Sequence, residues 1–296
     1  MRRTLVAVLA IGWLAACAGL NAPAASKSET PQQSLAATGK EMAKLKSVRF
    51  DAKATVSLTL PASLVDQLRA KAGSQGSLLS SNMTVDLTIS GAVNKPDQLD
   101  ATIEAKLGGL TVSTEVIAAG GRFYAKDPMT GKWKALGQSG RADSAPSKAG
   151  LSYQALIDTA KSLTELNDQP STISGVAVDH YRIVPNLARL LAQVTSGSPS
   201  KDSQAIVALQ GILQNAQLTA DVWTGTSDHL IRRLSYDADV TADLHVLSAA
   251  LPKGPGPNGQ SVQIPAGSMA HLTAHAVINL HDFNGAVTIK APTVSS

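Results

Sequence analysis

Val48-Arg49-Phe50-Asp51-Ala52-Lys53-Ala54-Thr55-Val56-Ser57-Leu58-Thr59-Leu60 decides the fold. Its even positions are Val, Phe, Ala, Ala, Val, Leu and Leu, and its odd positions from 49 to 59 are Arg, Asp, Lys, Thr, Ser and Thr. Strict alternation of this kind predicts an antiparallel strand with one face on a core and the other in water. At about 3.3 Å per residue it spans roughly 40 Å, over twice an average strand. A strand of that length belongs to a large, twisted sheet.

The pattern repeats downstream. Met83, Val85, Leu87 and Ile89 alternate with polar residues, and so do Leu99, Ala101, Ile103, Ala105 and Leu107. Asn94-Lys95-Pro96-Asp97, Gly108-Gly109 and Gly120-Gly121 have turn chemistry and connect these runs to strands at Leu110–Ile117 and Arg122–Lys126, giving a meander. Asp127-Pro128-Met129-Thr130-Gly131 is a turn before Lys132-Trp133-Lys134-Ala135-Leu136, and the polar, glycine-containing residues 137–150 read as a loop. Later strands are expected at Val176–Val184, Leu218–Trp223 and Leu230–Val246, with a closing hairpin of His271–Leu280 and Ala286–Ile289 through Asp282-Phe283-Asn284-Gly285. Helical spacing marks Ser34–Ser47, residues 151–166 (Tyr153, Leu156, Ile157, Ala160, Leu163), Leu187 to Val194, and the stretch holding Ile206, Leu209 and Leu213. Residues 61–73 predict a short amphipathic helix with Leu64 and Leu68 inward, or a flap. Residues 73–81 and 252–267 are Gly-, Ser- or Pro-rich loops.

Strands, helix, strand, helices, strands, all with antiparallel connections, describe an α+β fold: a large curled antiparallel sheet, a half-barrel, with several helices on its concave face. Many inward strand positions are alanine: Ala52, Ala54, Ala101, Ala105, Ala238, Ala274 and Ala276. Interiors pack at a density near 0.75. Either the helices approach these strands closely, or an apolar space remains that would suit an apolar ligand.

At the other end of the chain, Arg2 and Arg3 precede the apolar run Leu5–Trp13, which is shorter than the roughly 20 residues a membrane-spanning helix needs. It reads as an export signal. Leu14-Ala15-Ala16-Cys17 closes it with the chain's single cysteine, so no disulfide framework is expected. The four residues resemble the lipobox of bacterial lipoproteins. That resemblance implies cleavage before Cys17, a diacylglycerol thioether on its sulfur, and a further acyl chain such as palmitate on the new amino group. Two or more chains hold a protein stably at a membrane. The expected organisation is a signal peptide over residues 1–16, Cys17 and a flexible tether over 17–33, and one domain over 34–296.

Composition agrees with this division. Loss of Arg2 and Arg3, with no acid among residues 1–16, lowers the formal charge from +4 to +2, so the basic balance is not a nucleic-acid footprint. Aromatic residues make up only 3% of the chain, so the core must be aliphatic and alanine-rich.

With the lipobox, tether, first helix and sheet in view, the chain resembles the LppX/LprAFG family of bacterial cell-envelope lipoproteins over residues 34–292. The stretches that carry this are Leu35–Phe50, Gly121-Arg122-Phe123-Tyr124-Ala125 followed by Gly131-Lys132-Trp133, Val178-Asp179-His180-Tyr181-Arg182-Ile183, and Val222-Trp223 with Asp228-His229-Leu230-Ile231-Arg232-Arg233-Leu234. The family is similar in fold to the LolA/LolB carriers, a bent sheet and helices enclosing a hydrophobic cavity. The resemblance implies an extracytoplasmic, membrane-anchored protein that binds and carries lipids or lipidated glycans. The insertions at 73–81 and 252–267 depart from the family pattern.

The expected cavity lining is Val85, Leu87, Ile89, Ile103 and Val112 on the strands, faced by Leu156, Ile157, Leu187, Leu190 and Leu191 on the helices. The expected partners are an acyl-chain lipid, the membrane through the Cys17 anchor and an envelope transport partner. The domain is expected to be monomeric, with no nucleic acid, cofactor or metal. The alternative is a lipid-anchored scaffold with a filled core.

Catalytic signals are weak. Ser198-x-x-Lys201 has serine–lysine spacing but no accompanying motif, and no nucleophile elbow or phosphate loop occurs. The six histidines read as solvated surface groups; His271 and His275 on a strand lie roughly 13 Å apart, too far to share a zinc. Asp237 and Asp239 read as solvated charge, and Trp133 and Trp223 as strand-end anchors or cavity aromatics.

Overall fold

The alternation at Val48–Leu60 folds as β1, Ser47–Thr59, in a computed structural model that describes residues 29–72, 80–95, 97–138, 153–168, 170–195, 211–213, 215–246 and 264–294. The signal segment, Cys17, Ser198 and Lys201 lie outside the described residues, as does most of 252–267. A helix, α1 (Pro31–Lys44), precedes β1. It starts three residues before the expected Ser34. Pro31 sits in its first turn, where a missing N–H costs nothing, and Thr30 and Gln33 form a reciprocal capping box. Its buried stripe is Ser34, Leu35, Thr38 and Met42.

The helix α2 (Ala62–Ala72) follows, burying Leu64 and Val65 and half-burying Leu68. The meander is β2 (Asn82–Asn94), β3 (Gln98–Leu107), β4 (Leu110–Ala119), β5 (Arg122–Lys126) and β6 (Trp133–Gln138). Next come α3 (Tyr153–Asp158), β7 (Ala160–Leu166), β8 (Thr172–Ile173), β9 (Val176–Pro185) and α4 (Leu187–Thr195). The chain closes with β10 (Gln217–Gly225), β11 (Ile231–Asp243) and β12 (Met269–His281).

All twelve strands belong to one antiparallel array in the order β6-β5-β4-β3-β2-β1-β12-β11-β10-β9-β7, with β8 beside β9. The sheet is curled and not closed: β6 and β7 are its free edges. The first and last strands lie side by side in its middle, Phe50 opposite Leu280 and Ala54 opposite Ala276. The turn after β12 locks this pairing. Asn284, in the left-handed region at φ 58°, accepts from Lys46 N–H at 2.7 Å and donates its own N–H to the Ser47 carbonyl at 2.9 Å.

Two segments change type, and the strand expected over Leu230–Val246 is β11, which ends at Asp243, with 244–246 helical. Residues 160–166 form the edge strand β7, because β9 offers them a free ladder and pairs Leu163 with Ile183. Leu163 therefore packs from a strand, and only Tyr153–Asp158 of the expected helix is helical. Ala286–Ile289 forms no strand: β1 and β11 already fill both sides of β12, so no ladder remains for it. Ile289 is buried all the same.

The core lies between α1 and the concave face. Leu35, Met42 and Leu45 meet Phe50, Ala52, Ile89, Ile103, Ile278, Leu280 and Tyr181, with Leu156 of α3 and Leu190 of α4 joining from the side. Full burial of each large aliphatic side chain here contributes about 1.5–3 kcal/mol. The Tyr181 hydroxyl donates to Ser34 Oγ at 2.9 Å, tying α1 to β9.

Candidate functional site

Because paired residues face the same side of a sheet, the register turns the concave face into rows. One row runs Ile103–Ile89–Ala52–Ile278–Leu234–Val222–Tyr181 across β3, β2, β1, β12, β11, β10 and β9. Every member is buried. Two residues further along, the row is Val112–Ala105–Leu87–Ala54–Ala276–Tyr236–Ala220–Ile183. Its β9, β10 and β11 members are buried, but Ala276, Ala54, Leu87 and Ala105 are only half-buried and Val112 is 48% exposed. The next row, Leu110–Leu107–Val85–Val56–Ala274–Ala238–Leu218, is half-buried in its middle, and Leu110 is 52% exposed. A fourth row, Met83–Leu58–Leu272–Val240, is half-buried throughout.

Among the described residues, the concave face is thus fully buried at one end and only partly buried at the other. The partly buried end is an apolar trough at least five strands wide, roughly 20 Å at 4.8 Å per strand. It is lined by alanine, valine and leucine and holds no charged side chain in the rows above. Ala52 and Ala101 lie instead under the sealed core.

The expected lining residues divide between these regions. Val85 and Leu87 line the trough, and Val112 stands at its exposed margin. Ile89, Ile103, Leu156 and Leu190 are buried in the sealed core. Ile157 and Leu187 are half-buried against that core, and Leu191 is half-buried on α4. Val56, Leu58, Leu272 and the alanines on β11 and β12 also line the trough. Their alternation marked them as inward; nothing in it marked them as uncovered.

The convex face holds the polar chemistry. His271 bonds Asp239 at 2.8 Å and His275 bonds Asp237 at 2.7 Å, all four exposed. Among the described residues, no group of three or more His, Cys, Asp or Glu side chains could hold a metal ion. His180 departs furthest from the surface reading. His180 is 5% exposed, stacks on Trp223 with ring centroids 4.1 Å apart, and bonds Asp168 at 2.6 Å through Nδ1. That hydrogen bond holds the Asp168 carboxyl below its usual range. Arg182 grips Asp221 with two bonds, of 2.8 and 3.0 Å, and its own pKa rises in response. Ile173 of β8 and Val178 cover Trp223, which is a buried structural anchor away from the trough. Trp133 begins the edge strand β6 and is half-buried.

No helix among the described residues is long and apolar enough to cross a membrane. No family model and no curated protein matches the sequence. Among solved structures, the chain is similar to LprF from Mycobacterium bovis, with 15% identity, 90% of this chain and 99% of that one covered, and a TM-score of 0.41. It is also similar to an outer membrane lipoprotein-sorting protein domain from Vibrio parahaemolyticus, with 10% identity, coverage of 88% and 95%, and a TM-score of 0.25. A LolA superfamily protein from Nitrosomonas europaea has 6% identity, coverage of 88% and 96%, and a TM-score of 0.24.

Proposed function

We propose that this chain is a membrane-anchored lipoprotein that binds and carries acyl lipids in the trough. The observation that carries the reading is the run of apolar residues that continues from the sealed core into half-buried rows without a charge. An acyl chain laid along these rows removes apolar surface from water at about 25 cal/mol per Å², on both partners, and needs no specific polar contact. Lipidation at Cys17 would keep the domain within reach of the bilayer that supplies or receives the lipid. The protein contributes shape and dryness, and no bond is made or broken.

The test is native mass spectrometry of the mature chain carrying Cys17→Ser, before and after incubation with phospholipid or triacylglycerol vesicles. A bound mass released on denaturation is expected. A bare mass under both conditions would sink the carrier reading and leave the alternative, a scaffold that displays its sheet and loops to protein partners.

A further inference from the structure

The convex face has a feature that the trough does not explain. Arg49, Asp51, Ser90, Ala92, Asp100, Thr102 and His281 surround a depression of about 270 Å³, floored by Ala92 with Gly91 and Phe50 beneath. Its origin lies in the register. One row reads His281–Arg49–Ala92–Asp100, and the adjacent row reads Asp51–Ser90–Thr102–Glu115. The central strand, β2, places only Ala92 and Ser90 there, while β1 and β3 place longer or charged side chains on either side. Arg49 and Asp100 are two strand spacings apart, roughly 9.5 Å at Cα, and among the described residues they form no direct ion pair. Arg49 approaches Asp282 instead, at a long 3.7 Å.

Other charges around the depression have partners. His281 lies 3.1 Å from both Asp51 and Asp282, and Glu115 pairs with Lys126 at 2.7 Å. The side chains of Asp100, Ser90 and Thr102 have no hydrogen-bond partner among the described residues. The gap therefore presents a guanidinium on one wall, an unpaired carboxyl on the other, and two free hydroxyls.

We infer that this depression is a second binding site, for one ring of a neutral saccharide. A sugar hydroxyl both donates and accepts, so one ring can donate to Asp100 and accept from Arg49, Ser90 and Thr102. An anion would face the unpaired Asp100 carboxyl, and an ammonium group would face the Arg49 guanidinium. Burial, and then the nearby charge of Glu115, hold the Asp100 carboxyl above its usual range, as expected of an acid that lacks a donor. The site is separate from the trough and does not depend on lipid being carried there.

The test is a titration of the mature Cys17→Ser chain with methyl glucoside, methyl mannoside and N-acetylglucosamine, following the amide resonances of Ser90, Ala92, Asp100 and Thr102. Spermidine and inorganic phosphate serve as the cationic and anionic comparisons. Saturable shifts at these amides are expected with at least one sugar, about tenfold weaker in Asp100→Asn and absent in Ala92→Leu, which fills the floor. Asp100→Asn lies on the exposed rim and carries the test if Ala92→Leu does not fold. No saturable shift with any sugar, unchanged affinity in Asp100→Asn, or tighter binding of spermidine or phosphate would each overturn the inference. Lipid loading should be the same with and without Asp100→Asn, which keeps this result distinct from the fate of the carrier reading.

Discussion

At single residues, the fold depends on a few close approaches that no pattern announces. Gly91 sits where a Cβ would come 2.8 Å from Phe50 Cζ and 2.9 Å from Ala101 Cα, and closer still to the Asp100 carbonyl oxygen. Backbone cannot move aside as a flexible side chain can. Gly91→Ala should therefore cost about 1–3 kcal/mol, the range for overpacking, and a thermal melt with unchanged midpoint would show that the strands yield more easily than this. Tyr181 supplies a pH dependence. Burial raises its phenol above the usual value, opposed by the bond to Ser34 and reinforced by Asp179, Glu165 and Glu29. Below about pH 10 both folded and unfolded states keep the proton. Above it the unfolded chain ionises first, so stability falls as pH rises toward the folded-state pKa. Denaturant melts from about pH 8 to pH 11 should show a steeper loss in the wild type than in Tyr181→Phe; parallel curves would remove Tyr181 from the alkaline transition. His180 shows how little one residue's type says. A histidine on an outward strand position reads as solvated until the β8–β9 hairpin brings Ile173 over its neighbour Trp223.

Among elements, alternation was a dependable guide and competition for partners was not. The runs in β1 to β5 and β12 are strands because each has a continuous polar and a continuous apolar face, a property each segment carries alone. Residues 160–166 and 286–289 went the other way for a shared reason. A short segment takes a strand only if a neighbour has a free edge, and β9 has one where β12 does not. The trough allows a comparison within one strand. Ala52 and Ala54 are both inward on β1, but Ala52 lies in the sealed row and Ala54 in the half-buried one. Ala52→Leu should overpack and destabilise by about 1–3 kcal/mol. Ala54→Leu, at a position that is only half-buried, should cost less than that, within about 0.5 kcal/mol, and lower lipid loading in the mass-spectrometric assay. Equal destabilisation of the two variants would mean that the trough is filled in solution.

Over the whole molecule, the defining step is the pairing of β1 with β12, which joins residues more than 200 positions apart, such as Phe50 and Leu280. It converts two flanking sheets, one built from β2–β6 and one from β7–β11, into a single curled surface. Local stability should follow distance from that seam, since edge strands have one ladder and central strands two. Hydrogen exchange should find the amides in the middle of β1 and β12 slowest, and those of β6 and β7 fastest. The reverse order would mean that the halves are held by α1 and the core rather than by the seam.

The sequence by itself determined which segments have an inside and an outside, because period-2 alternation and Gly- or Asn-bearing turns act over a few residues. It also determined the aliphatic, alanine-rich character of the inner face, through a composition almost without aromatics. Only the tertiary structure decided which part of that face is covered. Coverage depends on where α1, α3 and α4 come to rest across strands distant in sequence, and an inward alanine under Leu35 has the same local pattern as one open to the trough. For the same reason the convex depression was not legible: Arg49, Ala92 and Asp100 become neighbours only when the register of three strands is set, and the space between them belongs to none of the three alone.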